Sequence, residues 1–135
     1  MEFLLALKIN KKEEKIYPKY LIKKKDFDFQ AKRELNTNAL GSINFYVDNQ
    51  KYTAWFDKSY KARFKDEIVP TLALNKFNKD IILFGNLLFA KIDKQGYVQG
   101  LDEEEIETIR KFIVNNHKNV LKDSLSRVET LERNV

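Results

Sequence analysis

Residues 84–105 read FGNLLFAKIDKQGYVQGLDEEE, and three of the chain's four glycines fall inside them. The apolar run at 81–92 fits either two strands joined at Gly85-Asn86 or one long bulged strand. The DKQG segment that follows predicts a hairpin turn, with Gly96 in the left-handed position of its loop. YVQG is then a short return strand. At Leu101 the period changes. Asp102 with Glu105 three residues on is a relative of the capping box, and Leu101 and Ile106 occupy the positions of a hydrophobic staple. Glu103, Glu104 and Glu105 complement the positive end of a helix dipole. The stretch thus runs from strand to strand to helix, which predicts an α+β fold.

The same residues raise two chemical readings, and both fail on spacing. A phosphate loop needs glycines whose N–H groups converge just before a helix, and here a strand separates them. Consecutive carboxylates on a helix point about 100° apart, so the acidic cluster does not converge on one cation. Helix capping accounts for them.

Outward toward the C-terminus, Ile106, Ile109, Phe112 and Ile113 share a helical face. NNHKN at 115–119 predicts a turn that carries His117. Leu121, Leu125, Val128 and Val135 recur near 3.5 residues, with Leu131 beside them, and predict a second amphipathic helix. Outward toward the N-terminus, Ile43, Phe45 and Val47 alternate with polar positions, as do Tyr52, Ala54 and Phe56. The intervening DNQK, with Asn49 tolerant of left-handed backbone, predicts a hairpin. Tyr60, Ala62 and Phe64 continue the alternation as an extension of that meander. NTNALGS at 36–42 reads as a loop. Phe27 and Phe29 between Asp26 and Asp28 suit a half-exposed strand, while QAKREL equally suits a helical turn. KIYPKYLIK at 15–23 is an edge or bulged strand because of Pro18, and FLLALKI at 3–9 is the first strand. The predicted whole is a single α+β domain over 1–135: a mostly antiparallel twisted sheet (β-rich 1–100) with two C-terminal helices (101–135) packed on one face.

Composition narrows the function classes. The 135 residues are 43% apolar and 33% charged, enough for one core with a well-solvated surface. No apolar run reaches the ~18 residues of a membrane span, and MEFLLALKIN reads as a strand and not as a signal peptide. With no cysteine, disulfides and thiolate metal sites are excluded; a single histidine cannot assemble the three or four nitrogen or sulfur ligands usual for zinc, and no cofactor is implied. This suits a cytoplasmic setting. The net charge of +5 is uneven: residues 1–65 carry 15 Lys/Arg against 8 Asp/Glu, whereas 101–135 carry 6 against 8. Such a field steers anionic partners.

Catalytic chemistry is hard to place. His117 is not joined by a strained nucleophile elbow, and no acid, base, nucleophile and metal set converges. The enzyme reading ranks below binding. The richest constellation is YTAWFDKSYKARFK at 52–65, where aromatics interleave with cations. Aromatic faces stack nucleobases and Lys or Arg neutralises phosphate, which nominates Trp55, Lys58, Tyr60, Lys61, Arg63 and Lys65 as ligand contacts. Strand alternation alone also produces that pattern, with one core face and one solvated face.

The order of motifs from about Ile43 to Ile113 resembles DUF3846, a family of small uncharacterised proteins of phages and mobile elements. The likeness covers about half the chain. It rests on Gly85-Asn86-Leu87-Leu88-Phe89, on Leu101-Asp102-Glu103-Glu104, and on Asn75. The family's glycine-rich segment near the N-terminus has no counterpart here. The resemblance implies a phage or mobile-element setting in a host cytoplasm and supplies no catalytic residues. Taken together, the expectation is a small non-enzymatic binding protein for an anionic ligand such as a nucleotide, or for a host defence protein. The alternative is a nucleic-acid-binding accessory protein. A homodimer through the last helix or an open sheet edge is a further expectation.

Overall fold

The structure, a computed structural model, describes residues 2–10, 15–63, 70–76 and 79–117. The elements in chain order are β1 (Phe3–Asn10), β2 (Lys15–Ile22), α1 (Phe27–Glu34), β3 (Leu40–Val47), β4 (Gln50–Asp57), α2 (Tyr60–Arg63), β5 (Pro70–Lys76), β6 (Lys79–Phe84), β7 (Leu87–Ile92) and β8 (Val98–Gln99). A final helix, α3, occupies 103–117. The main sheet has the order β2-β1-β7-β4-β3, with β8 on the end of β7, and β5 and β6 form a separate two-stranded sheet. Every pairing is antiparallel. A mostly antiparallel α+β fold is therefore what the chain adopts. The second C-terminal helix, expected at 121–135, lies outside the described residues.

Local rules build the sheet. Val47 pairs with Gln50, so a two-residue loop joins β3 to β4. Its Asp48 and Asn49 both take positive φ, 51° and 67°, as the tight turn that matches strand twist demands. Gly96, at φ 90°, and the Asp93–Tyr97 backbone bond make the second turn. Pro18 sits opposite Leu7 on β2, an outermost strand, where its missing N–H costs no ladder bond. Gly85 resolves the two readings of 81–92. It takes φ +74° and lies against the Tyr60 ring, leaving no room for a β-carbon. The chain breaks there, and β6 and β7 belong to different sheets.

The central strand β7 is buried on both faces over Leu87–Ala90, which explains why those four residues are continuously apolar. Leu87 and Phe89 join Leu5, Leu7, Phe45 and Ala54 beneath Ile106, Ile109 and Ile113 of α3 and beneath Leu72, Leu74 and Leu83 of the β5–β6 hairpin. Phe45 centres this layer, edge-on to Phe89 at 5.9 Å and stacked on Phe112 at 5.8 Å. Leu88 and Ala90 point the other way and, with Leu4, Ala6 and Trp55, pack against Ala31 and Leu35 at α1. The start of α3 is capped reciprocally: the Asp102 N–H donates to Glu105 Oε1 and the Glu105 N–H to Asp102 Oδ1. Leu101 and Ile106 are both buried in the core below.

Three segments depart from the sequence reading. Residues 27–34 form a helix. Asp26 caps it by accepting from the Phe29 N–H, so the Asp-Phe alternation marks a helix start and not a strand. Residues 60–63 form a helical turn instead of extending the meander. The 36–42 segment is loop only to Ala39, after which β3 begins. His117 also lies in a different setting from the one expected: it is helical and 5% exposed.

Candidate functional site

Helix α1 ends in a Schellman motif. The Thr37 N–H reaches the Lys32 carbonyl and the Asn36 N–H reaches the Arg33 carbonyl, while Asn36 takes φ 51°. That left-handed residue turns the chain sharply toward the end of β4. There Asp57, 8% exposed, collects the segments around it. Thr37 Oγ1 donates to its Oδ1 at 2.7 Å. The Ser59 N–H and Oγ donate to the same oxygen at 2.8 and 2.6 Å. Arg63 donates to Oδ2 at 2.9 Å and to the Asn36 carbonyl at 2.7 Å.

Burial pushes the Asp57 carboxyl upward and is the largest single influence. The Ser59 and Thr37 hydrogen bonds, with the Arg63 charge, outweigh it together and hold the group below its ordinary value of 3.8. Asp57 is thus an ionised anchor. It ties the α1 terminus, β4 and α2 into one unit and fixes where the Arg63 guanidinium stands.

Above this anchor lies an open depression of about 620 Å³. Lys32, Arg33 and Arg63 supply its positive charge, Asn36 and Asn38 its amides, and Phe29 its apolar rim. Phe29 is 62% exposed, unusual for so large an apolar ring. Lys32 pairs with Asp28 one helical turn away at 2.9 Å, an exposed pair of the kind that contributes little and exchanges easily.

The structure separates the six residues nominated from the sequence. Trp55 is buried beneath α1, edge-on to Phe27 at 4.6 Å. Tyr60 is buried with its ring against Gly85. Lys58, Tyr60 and Lys61 line a second hollow of about 280 Å³ with Phe56 and Phe84, and Lys61 Nζ sits 4.6 Å over the Phe84 ring. Arg63 alone of the six lines the larger depression. Lys65 lies outside the described residues. Phe29, Lys32, Arg33, Asn36 and Asn38 were not singled out from the sequence. Two unread signals bear on their arrangement: Asp26 can cap a helix, and Asp57 and Ser59 can form a turn by bonding nearby backbone.

Other chemistry finds no such grouping. Among the described residues no set of three His, Asp or Glu side chains gathers at a metal-ligand spacing, and no helix there is long and apolar enough to cross a membrane. The Nδ1–H of His117 donates to the Thr71 carbonyl at 3.0 Å. Beside it, Asn116 pairs with both backbone groups of Ala73, at 2.8 and 2.7 Å. These contacts dock the end of α3 on β5. No family model matches the chain, nor does any curated protein or solved structure.

Proposed function

We propose that the chain is a binding protein for a small anionic ligand of the nucleotide class, held in the depression between α1 and α2. The observation that carries this reading is the grouping there of Lys32, Arg33 and Arg63 around a cavity of about 620 Å³, within the ~300–1,000 Å³ range of small-molecule sites. The one buried carboxylate nearby, Asp57, is consumed by its own donors and leaves the rim positive. Arg33 and Arg63 would meet phosphate oxygens, where a guanidinium binds bidentately. Phe29 offers a face on which a base stacks, and the Asn36 and Asn38 amides can read its edge. In the phage or mobile-element setting that the DUF3846 resemblance implies, such a protein would sequester a host nucleotide signal.

Thermal melts across a panel of nucleoside mono-, di- and triphosphates test this, because a ligand that binds the native state raises Tm with its concentration. The expected result is a Tm rise for at least one class, with affinity in calorimetry lowered about tenfold by Arg33→Ala and by Arg63→Ala. No shift across the panel, or affinity indifferent to both substitutions, would overturn it. Retention of an oligonucleotide that weakens by orders of magnitude over a few-fold rise in salt would instead favour nucleic acid as the ligand.

A further inference from the structure

The two ends of the main sheet are unlike. At one end β2 carries Pro18 between Lys15 and Lys19, devices that discourage a further strand. At the other end β3 runs from Leu40 to Val47 with no charge and no proline. It pairs with β4 without a bulge along its whole length. The turn decides which way its backbone points. Val47 and Gln50 close a two-residue loop, and such a closing pair exchanges both backbone bonds. Alternation then directs the N–H and C=O of Gly41, Ile43, Phe45 and Val47 to β4, and those of Leu40, Ser42, Asn44 and Tyr46 outward. Among the described residues no strand pairs with that outer side, and no backbone group bonds to it. Ser42 and Asn44 are exposed, and Tyr46 is 67% exposed.

We propose that β3 is a dimerisation edge, where a second copy of this chain adds its own β3, antiparallel about a two-fold axis at Ile43. Charge, side-chain match and closure favour a copy of the same strand. A two-fold contact sets a strand against its own residues, so any charge on β3 would meet its like, and β3 carries none. With the axis at Ile43, Tyr46 lies opposite the partner's Leu40, Asn44 opposite the partner's Ser42, and Phe45 opposite the partner's Gly41. Aromatic meets aliphatic, polar meets polar and large meets small, the kind of cross-strand pairing that stabilises sheets. The outward backbone groups of the two strands also face one another. An axis at Asn44 would instead set Leu40 against the partner's Asp48, and an axis at Ser42 would set Tyr46 against the partner's Asn38, ahead of the strand. Finally, because β2 is blocked, the contact closes at two copies and does not grow into a filament. A foreign extended peptide is the competing occupant, and the self-match of β3 is what favours a second copy over it. Dimerisation here is independent of nucleotide binding, and its test uses no ligand.

Sedimentation of the full chain across a concentration series should show a monomer–dimer equilibrium with no larger species. Ser42→Lys sets two cations diagonally across the axis and should raise the dissociation constant at least about tenfold. Tyr46→Lys, at the other end of the exposed row, gives the same readout should Ser42→Lys fold poorly. Since the chain contains no cysteine, oxidation can read the register. In the dimer the two Ile43 α-carbons face each other at about 4.5 Å, within the ~4.4–6.8 Å span of a disulfide. Asn44 and the partner's Asn44 are diagonal neighbours, roughly 7–8 Å apart. Ile43→Cys should therefore cross-link two chains about tenfold faster than Asn44→Cys, in variants whose reduced forms melt cooperatively. A monomer at every concentration, a dimer indifferent to both lysine substitutions, assemblies beyond two copies, or Asn44→Cys linking as fast as Ile43→Cys would each overturn the proposal.

Discussion

The two faces of the sheet are built on opposite principles. Under α3 the core is thick and aromatic, centred on Phe45 and Phe89, and it excludes charge. Tyr52 on that face shows this: burial first, then the Glu105 and Asp102 carboxylates, raise its phenol above the ordinary value of 10.0. Under α1 the core is thin, with Ala6, Ala31 and Ala90 among its members. Its border holds a charge, and Asp57 is pulled in the acidic direction by the donors around it. One face is organised by the removal of apolar surface from water. The other is organised at its border by the satisfaction of a single carboxylate. Stability and ligand binding should therefore be separable by face.

The largest effect that would test the separation is Phe89→Ala. Truncating a fully buried aromatic costs about 3–5 kcal/mol, and the urea midpoint should fall accordingly. Nucleotide affinity measured where the variant remains folded should hardly change. A loss of affinity as large as the loss of stability would break the comparison.

Asp57→Asn should cost about 1.5–3 kcal/mol at neutral pH, the scale of hydrogen bonds to a charged group. It should also lower affinity, because Arg63 loses its anchor. The pH dependence follows from the lowered pKa. The folded state binds the proton less readily than the unfolded chain, so the contribution is fully present above about 3.8 and is lost as pH falls through the depressed folded value. Acid titrations of the two proteins should converge below that window. A difference that persists undiminished to pH 2 would show that the charge is not what Asp57 contributes.

Tyr52→Phe should have the smallest effect. At neutral pH the two proteins should melt within about 1 kcal/mol of each other, since a volume-conserving change is well tolerated. The contrast belongs to alkali. With its folded pKa raised, Tyr52 favours the folded state below the ordinary value of 10.0, and that advantage is lost as pH rises through the folded value. The phenylalanine variant should resist alkaline unfolding better. Equal alkaline profiles would place Tyr52 in a more polar setting than its burial indicates.

What the sequence disclosed divides along the same line. The β3–β4 hairpin, the Gly96 turn and the Asp102 cap were legible because each is a local device whose residues are neighbours in the chain. The α1 helix was legible only in its second half, where QAKREL suits a helical turn, because Asp26-Phe27-Asp28-Phe29 alternates as a strand would. Only its packing reveals that Phe27 meets Trp55 while Phe29 faces solvent. The candidate site was legible only at Arg63. Its other members come from a segment about thirty residues earlier, joined to Asp57 by hydrogen bonds such as that from Thr37 across 20 positions. Charge and aromatic content along one segment carry no record of such closures. The strand period also misled at 60–63, where β4 ends and the Asp57-Ser59 turn starts a helix.

The Asn116 side chain holds both the N–H and the carbonyl of Ala73, so a single amide stands where the next strand's peptide would. The β5–β6 hairpin thereby carries its own terminator at the middle of β5. Growth of that sheet on its β5 side must first displace the end of α3, which makes the helix a guard of that edge as well as a lid on the core.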